Sequence, residues 1–71
     1  MDAQLIELKA KIESEPFRPF VIELVSDLQI VITKDSEILF PRKRPELVIT
    51  FTEDGLQHEF EASAIAALVE G

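Results

Sequence analysis

These 71 residues contain no cysteine, tryptophan or tyrosine, and only two glycines and one histidine. Without cysteine, neither a disulfide nor a thiolate metal site can reinforce the fold. His58 is the only imidazole, so a His–His metal pair or a Ser-His-Asp triad within one chain is excluded or reduced to this one residue. Gly55 and Gly71 are the only glycines, so there is no glycine-rich phosphate loop. No apolar run approaches the roughly 20 residues of a membrane span. Met1-Asp2-Ala3-Gln4 lacks a basic region followed by an apolar stretch, so the expectation is no signal peptide, no membrane and a cytoplasmic location. Positive charge is also scarce, with 7 Lys and Arg against 14 Asp and Glu, net −7. That balance opposes general binding to nucleic acid or anionic lipid.

Hydrophobic residues are plentiful, at 46%, which is globular rather than disordered composition. A chain this short forms one domain, residues 1–71, and buries only about 60% of its unfolded surface. The core must therefore use most of the apolar side chains, or a partner must cover some.

Residues 2–14 read as a helix. Asp2 is a candidate N-cap. Leu5, Leu8 and Ile12 form an apolar stripe with Ile6 beside it, and Glu7 and Lys11 stand i, i+4. Pro16 stops the helix. Alternation then predicts strands over about 19–26 and 28–34, with a glycine-free turn at Ser26-Asp27 or Asp27-Leu28. Residues 35–45 break the pattern: a short helical turn at Asp35-Ser36-Glu37, apolar Ile38-Leu39-Phe40 at the core edge, then the proline-bounded loop Pro41-Arg42-Lys43-Arg44-Pro45. Strands follow over about 46–53 and 56–61, joined at Asp54-Gly55, the strongest turn signal in the chain. The alanines of 62–70 favour helix, but a fifth strand over 64–69 closes a small barrel better. The expected fold class is α+β, an N-terminal helix followed by a five-stranded antiparallel, partly closed sheet.

The helix, the phrase Pro16-Phe17-Arg18-Pro19-Phe20 and the strand Phe20-Val21-Ile22-Glu23-Leu24 together resemble a group of small bacterial proteins of no assigned activity. Those proteins open with a short helix and the same Pro-Phe-Arg-Pro-Phe phrase. Their next turn is Asp-Gly, where this chain has Asp27-Leu28. The resemblance implies a compact sheet of SH3-like or Sm-like type and no particular activity. Taken by themselves, Phe17 and Phe20 are core anchors of a helix-to-sheet connector, as buried aromatics usually are.

Arg42, Lys43 and Arg44 form a possible binding loop, for phosphates or for an acidic protein surface. No Tyr or Trp stands near to stack a base. From Pro45 to Gly71 there are six acids and no Lys or Arg, and Glu53, Asp54, Glu59 and Glu61 form a possible acidic contact face. Glu59 and Glu61, i and i+2 on one strand face, lie about 7 Å apart. Neither pair has the ligand density of a calcium loop. His58 shares its strand face with Leu56 and Phe60, the setting of a half-buried structural histidine. Ser14, Ser26, Ser36 and Ser63 sit beside turns and caps, where serine serves the backbone. Val21, Val25, Val31 and Val48 make several strands apolar on both faces, which points to a docked helix or an oligomer interface.

The expected function is a small non-catalytic protein-interaction module, binding itself through apolar strand faces or another protein. Two alternatives stand beside it. One is an Sm-like nucleic-acid binder using Arg42-Lys43-Arg44, disfavoured by net charge. The other is an acidic mimic of nucleic acid that blocks a basic protein. No enzyme activity, cofactor or metal is expected.

Overall fold

The computed structural model describes residues 3–70. Helix α1 spans Ala3–Glu13, and the capping role of Asp2 lies outside the described residues. Leu8 is fully buried, Leu5 and Ile12 pack onto the core, and Ile6 stays 52% exposed. Eleven residues are too few for a helix stable alone in water, so α1 depends on its docking. An ion pair adds to this packing: Lys11 Nζ meets Glu70 Oε1 at 3.0 Å, on the last strand, rather than Glu7 one turn away. The N–H and the hydroxyl of Ser14 both donate to the Lys11 carbonyl and close the helix. The Glu15–Pro16 peptide is cis. Phe20 is then buried, with the half-buried Phe17 ring tilted against it at 6.2 Å between centroids. The phenylalanines of the connector thus pack inward.

Six strands follow, in two sheets: β1 Phe20–Leu24, β2 Gln29–Ile32, β3 Glu37–Leu39, β4 Leu47–Phe51, β5 Gln57–Glu61 and β6 Ile65–Glu70. One sheet has the order β2-β1-β6, the other β3-β4-β5, and every pairing is antiparallel. This corrects the expected five-stranded, partly closed SH3-like or Sm-like sheet. Neither sheet closes. Residues 37–39 form a strand that is too short to show a period of two, so it reads from sequence as irregular. After β5 the chain makes a 3-10 turn, Ala62–Ala64, and changes sheets instead of turning back beside β5. That turn is tied to both sheets: Ala62 N–H donates to Glu46 O at 2.7 Å and Val25 N–H to Ala64 O at 2.8 Å. Ala62 is fully buried there, a place where only a small side chain fits.

The two sheets and α1 share one core of Leu8, Phe20, Ile22, Leu24, Ile30, Ile32, Val48, Phe60 and Ile65. In β1 the inward residues are Phe20, Ile22 and Leu24, as the alternation requires. In β4 the inward residues are Val48 and Thr50, both fully buried, while Leu47, Ile49 and Phe51 face outward. Val48 therefore belongs to the core and not to a second apolar face. Register explains the choice: Val48 stands opposite Phe60, and Thr50 opposite His58. Turning β4 over would point Phe60 and Glu59 to the wrong sides as well.

The hairpins β1–β2 and β4–β5 are built alike. In the first, Asp27 N–H donates to Leu24 O and Leu24 N–H to Leu28 O, both at 2.9 Å, and Asp27 has φ 72°. In the second, Gly55 N–H donates to Thr52 O and Thr52 N–H to Leu56 O, both at 2.9 Å, and Gly55 has φ 86°. Each is a three-residue loop whose last residue is left-handed, the form that ends in a bulge, rather than a two-residue turn.

Candidate functional site

The outward face of the β3-β4-β5 sheet is a small grid whose rows follow from register. Residues directly opposite in antiparallel strands share a face. The first row is Glu37, Phe51, Gln57; the second is Leu39, Ile49, Glu59; the third is Leu47 and Glu61. Its centre is apolar and its β5 side is acidic. The partly buried apolar residues that pack onto the core are Leu5, Ile12, Phe17, Ile38, Phe40 and Leu68. Leu39, Leu47, Ile49 and Phe51 are not among them, and Leu39 is 47% exposed. The β2-β1-β6 sheet shows a thinner outward stripe, Val31, Val21 and Val69, aligned across its three strands.

Arg42, Lys43 and Arg44 lie exposed in the loop between β3 and β4. Two successive turns shape that loop, closed by Arg44 N–H to Pro41 O at 3.2 Å and Leu47 N–H to Arg44 O at 2.9 Å. Among the described residues none of the three cations makes an ion pair; the ion pair formed there is Lys11–Glu70. Arg44 shares a shallow depression with Pro45, Glu46, Leu47 and Glu61, which brings the basic loop to the lower end of the grid. On the other side of the loop, Arg42 and Lys9 rim an apolar groove of about 460 Å³ floored by Leu5, Ile6, Phe40, Pro41 and Pro45. Lys9 Nζ sits 5.0 Å above the Phe40 ring, so this aromatic is already engaged.

The four acids of the expected contact face do not form one patch. Glu59 and Glu61 stand on the outward side of β5, whereas Glu53 and Asp54 occupy the β4–β5 turn at the far end of the sheet. Asp54 is part of the turn itself. The Thr52 hydroxyl donates to its carboxylate, and this bond, aided by backbone N–H groups of Asp54 and Leu56, holds its pKa below the ordinary value. Glu53 accepts from Thr33 Oγ1 at 3.3 Å, linking the turn to the end of β2. His58 is half-buried on the inner face at the mouth of a cleft of about 410 Å³, with Gln29, Ile30, Thr52 and Leu56 around it. Among the described residues no three His, Asp or Glu side chains converge as a metal site requires. Every buried side-chain nitrogen or oxygen there has a hydrogen-bond partner.

Sequence reasoning missed the outward apolar row. Two faces of β4 compete, Leu47-Ile49-Phe51 against Val48-Thr50-Thr52, and hydropathy favours burying the first. The signal was in β5, where only the Leu56-His58-Phe60 side can face a core, and pairing carries that orientation to Val48 and Thr50.

Fold and grid define a small α+β protein of two open antiparallel sheets, one of which presents a charge-flanked apolar row on its outward face. Among the described residues no helix is long and apolar enough to cross a membrane. Comparison of the chain with protein-family models, with curated proteins and with solved structures gives no match.

Proposed function

We propose that the chain is a cytosolic, non-catalytic protein-interaction module that docks its partner on the outward face of the β3-β4-β5 sheet. One observation carries this reading: Leu39, Leu47, Ile49 and Phe51 stand together on the outward face of that sheet, Leu39 exposed and the other three half-buried, and none of them is among the residues packed onto the core. Large apolar and aromatic side chains form the centres of protein interfaces, with charged groups at the rim. The Glu37, Glu59, Glu61 and Arg44 surround matches that layout. The stripe on the other sheet is open too, with Val31 54% and Val69 44% exposed, but it holds no aromatic to anchor a partner.

Readings that place nucleic acid on Arg42-Lys43-Arg44 have less support. The loop carries three cations against a net charge of −7, and the nearby aromatic, Phe40, lies under Lys9 instead of being free to stack a base.

The test is a photo-crosslinking amino acid placed at Ile49 in the native cell, with Glu13 on α1 as the control position. The expected result is a discrete protein adduct from position 49 and none from position 13. Equal labelling from both positions, or none from either, overturns the docking face.

A further inference from the structure

We infer that the groove between α1 and the β3–β4 loop is a binding site for a single-chain amphipathic anion, a carboxylate at the end of an alkyl chain. The groove lies on the opposite side of the basic loop from the sheet face, and this inference does not depend on the docking reading above.

Two properties of the lining point to that class of ligand. The floor is apolar: Leu5, Ile6 and Phe40, closed by the rings of Pro41 and Pro45. Leu5 and Phe40 are fixed from behind by packing onto the core, while Ile6 is 52% exposed. The polar side chains at the rim are both cations, Lys9 and Arg42. No acid is among the described residues that line the groove, in a chain with 14 acids and 7 bases. Among the described residues neither rim cation is held in an ion pair. The cleft beside His58 is the reverse, lined by Glu53 and Asp54 and by no Lys or Arg.

The site is largely formed before anything enters it, which lowers the ordering cost of binding. Pro41 and Pro45 fix their own φ, and the loop between them is closed by Arg44 N–H to Pro41 O and Leu47 N–H to Arg44 O. Lys9 Nζ, 5.0 Å over the Phe40 ring, is held at the rim. The volume of about 460 Å³ falls within the roughly 300–1,000 Å³ of small-molecule sites.

Other occupants fit less well. An extended peptide brings backbone N–H and C=O groups that need partners. The walls are a helix, paired within itself, and a loop bounded by prolines, so a peptide finds no strand edge to join. A net charge of −7 opposes approach to an anionic bilayer. An alkyl chain sets no polar group on the floor, and its carboxylate stays at the rim beside Lys9 and Arg42. Repulsion of the anion by the acidic chain is damped over a Debye length of about 8 Å in ~0.15 M salt, whereas the two cations act at contact.

The test is a titration of the full chain with sodium decanoate below its micelle-forming concentration, followed by amide and methyl NMR signals at about pH 7 in ~0.15 M salt. The expected result is saturable shifts at Leu5, Ile6, Lys9, Phe40 and Arg42. Each methylene added between hexanoate and decanoate should tighten binding about two- to fourfold, fourfold being the value for full burial. Octanol and octyltrimethylammonium should each bind at least about fivefold more weakly than octanoate. Lys9→Glu and Arg42→Glu should each weaken decanoate binding about fivefold or more, whereas Lys34→Glu, an equal change of charge between β2 and β3, should stay within about twofold. The dispersion of the amide spectrum shows that each variant is folded. Shifts centred on the valine stripe or on the outward face of β3-β4-β5 overturn the site. So do octanol binding as well as octanoate, decanoate binding that neither rim variant weakens, and binding to anionic vesicles without binding of the free decanoate. Crosslinking from position 49 tests the docking face separately, so either proposal can fail alone.

Discussion

Thr50 is the one polar residue buried in the described core, and its hydroxyl reaches only the His58 carbonyl, at a long 3.5 Å. A hydrogen bond that long contributes little, while the hydroxyl has lost its water. Thr50→Val keeps the shape and removes the polar atom. The expected change in unfolding free energy is within about 1 kcal/mol of zero. Ile22 offers the opposite case. It is fully buried on the central strand of its sheet, between Ile30 and Leu68. Ile22→Ala should cost about 2–5 kcal/mol, against a total of roughly 4–11 kcal/mol for a chain of this size. Urea titration measures both, and a Thr50→Val penalty equal to that of Ile22→Ala would show that the core depends on the hydroxyl.

Among the elements, the two hairpins form a natural pair for comparison. Asp27 and Gly55 occupy equivalent left-handed positions, at φ 72° and 86°. Only glycine takes that conformation without a Cβ penalty, and Asp tolerates it better than most. Asp27→Gly should stabilise by about 0.5–1 kcal/mol, and Gly55→Ala should destabilise by about 1 kcal/mol, although nothing crowds the new methyl. Thermal melts of the two variants check the signs; a stabilising Gly55→Ala would refute the shared turn geometry. These hairpins also show what the sequence reveals. The alternation around Phe20-Ile22-Leu24 and Leu56-His58-Phe60 is readable because each strand has one clearly wet side. The β3 strand is not, because three residues carry no period and its existence depends on β4 pairing with it. A turn at Ser63-Ala64 into a last strand is readable, and the 3-10 turn Ala62–Ala64 and β6 stand there; hidden was the sheet that strand joins, which its pairing with β1 decides. The basic loop was visible as a cluster of charges, but its position at one end of an apolar face depends on pairing between strands, which no local pattern encodes.

At the level of the whole molecule, charge opposes compactness. Fourteen acids and seven cations crowd a body with a Cα radius of gyration of 11.2 Å. At pH 7 and about 10 µM protein, raising salt from about 0.02 to 0.2 M should increase the melting temperature by screening self-repulsion. Acid acts through two carboxylates: Asp54 and Glu70 are held below their ordinary values by Thr52 and Lys11 respectively. A carboxylate with a lowered folded pKa stabilises the fold above its unfolded value, and that stabilisation is lost as pH falls through the folded value. Stability should therefore change little from pH 7 to 5 and fall below about pH 4. Asp54→Asn should flatten the acid limb, and calorimetry between pH 3 and 7 that finds stability still climbing at pH 3 would contradict this account.

The first strand pairs with the last. β3, β4 and β5 are neighbours in sequence and can form as soon as they emerge from the ribosome. β1, made early, has β2 on one side but must wait for β6, some 45 residues downstream, on the other. Throughout synthesis the nascent chain therefore carries an open, apolar strand edge, the kind of edge that recruits strands from other molecules. Synthesis paused before residue 65 would leave a product prone to aggregate, and release of the finished chain would cure it.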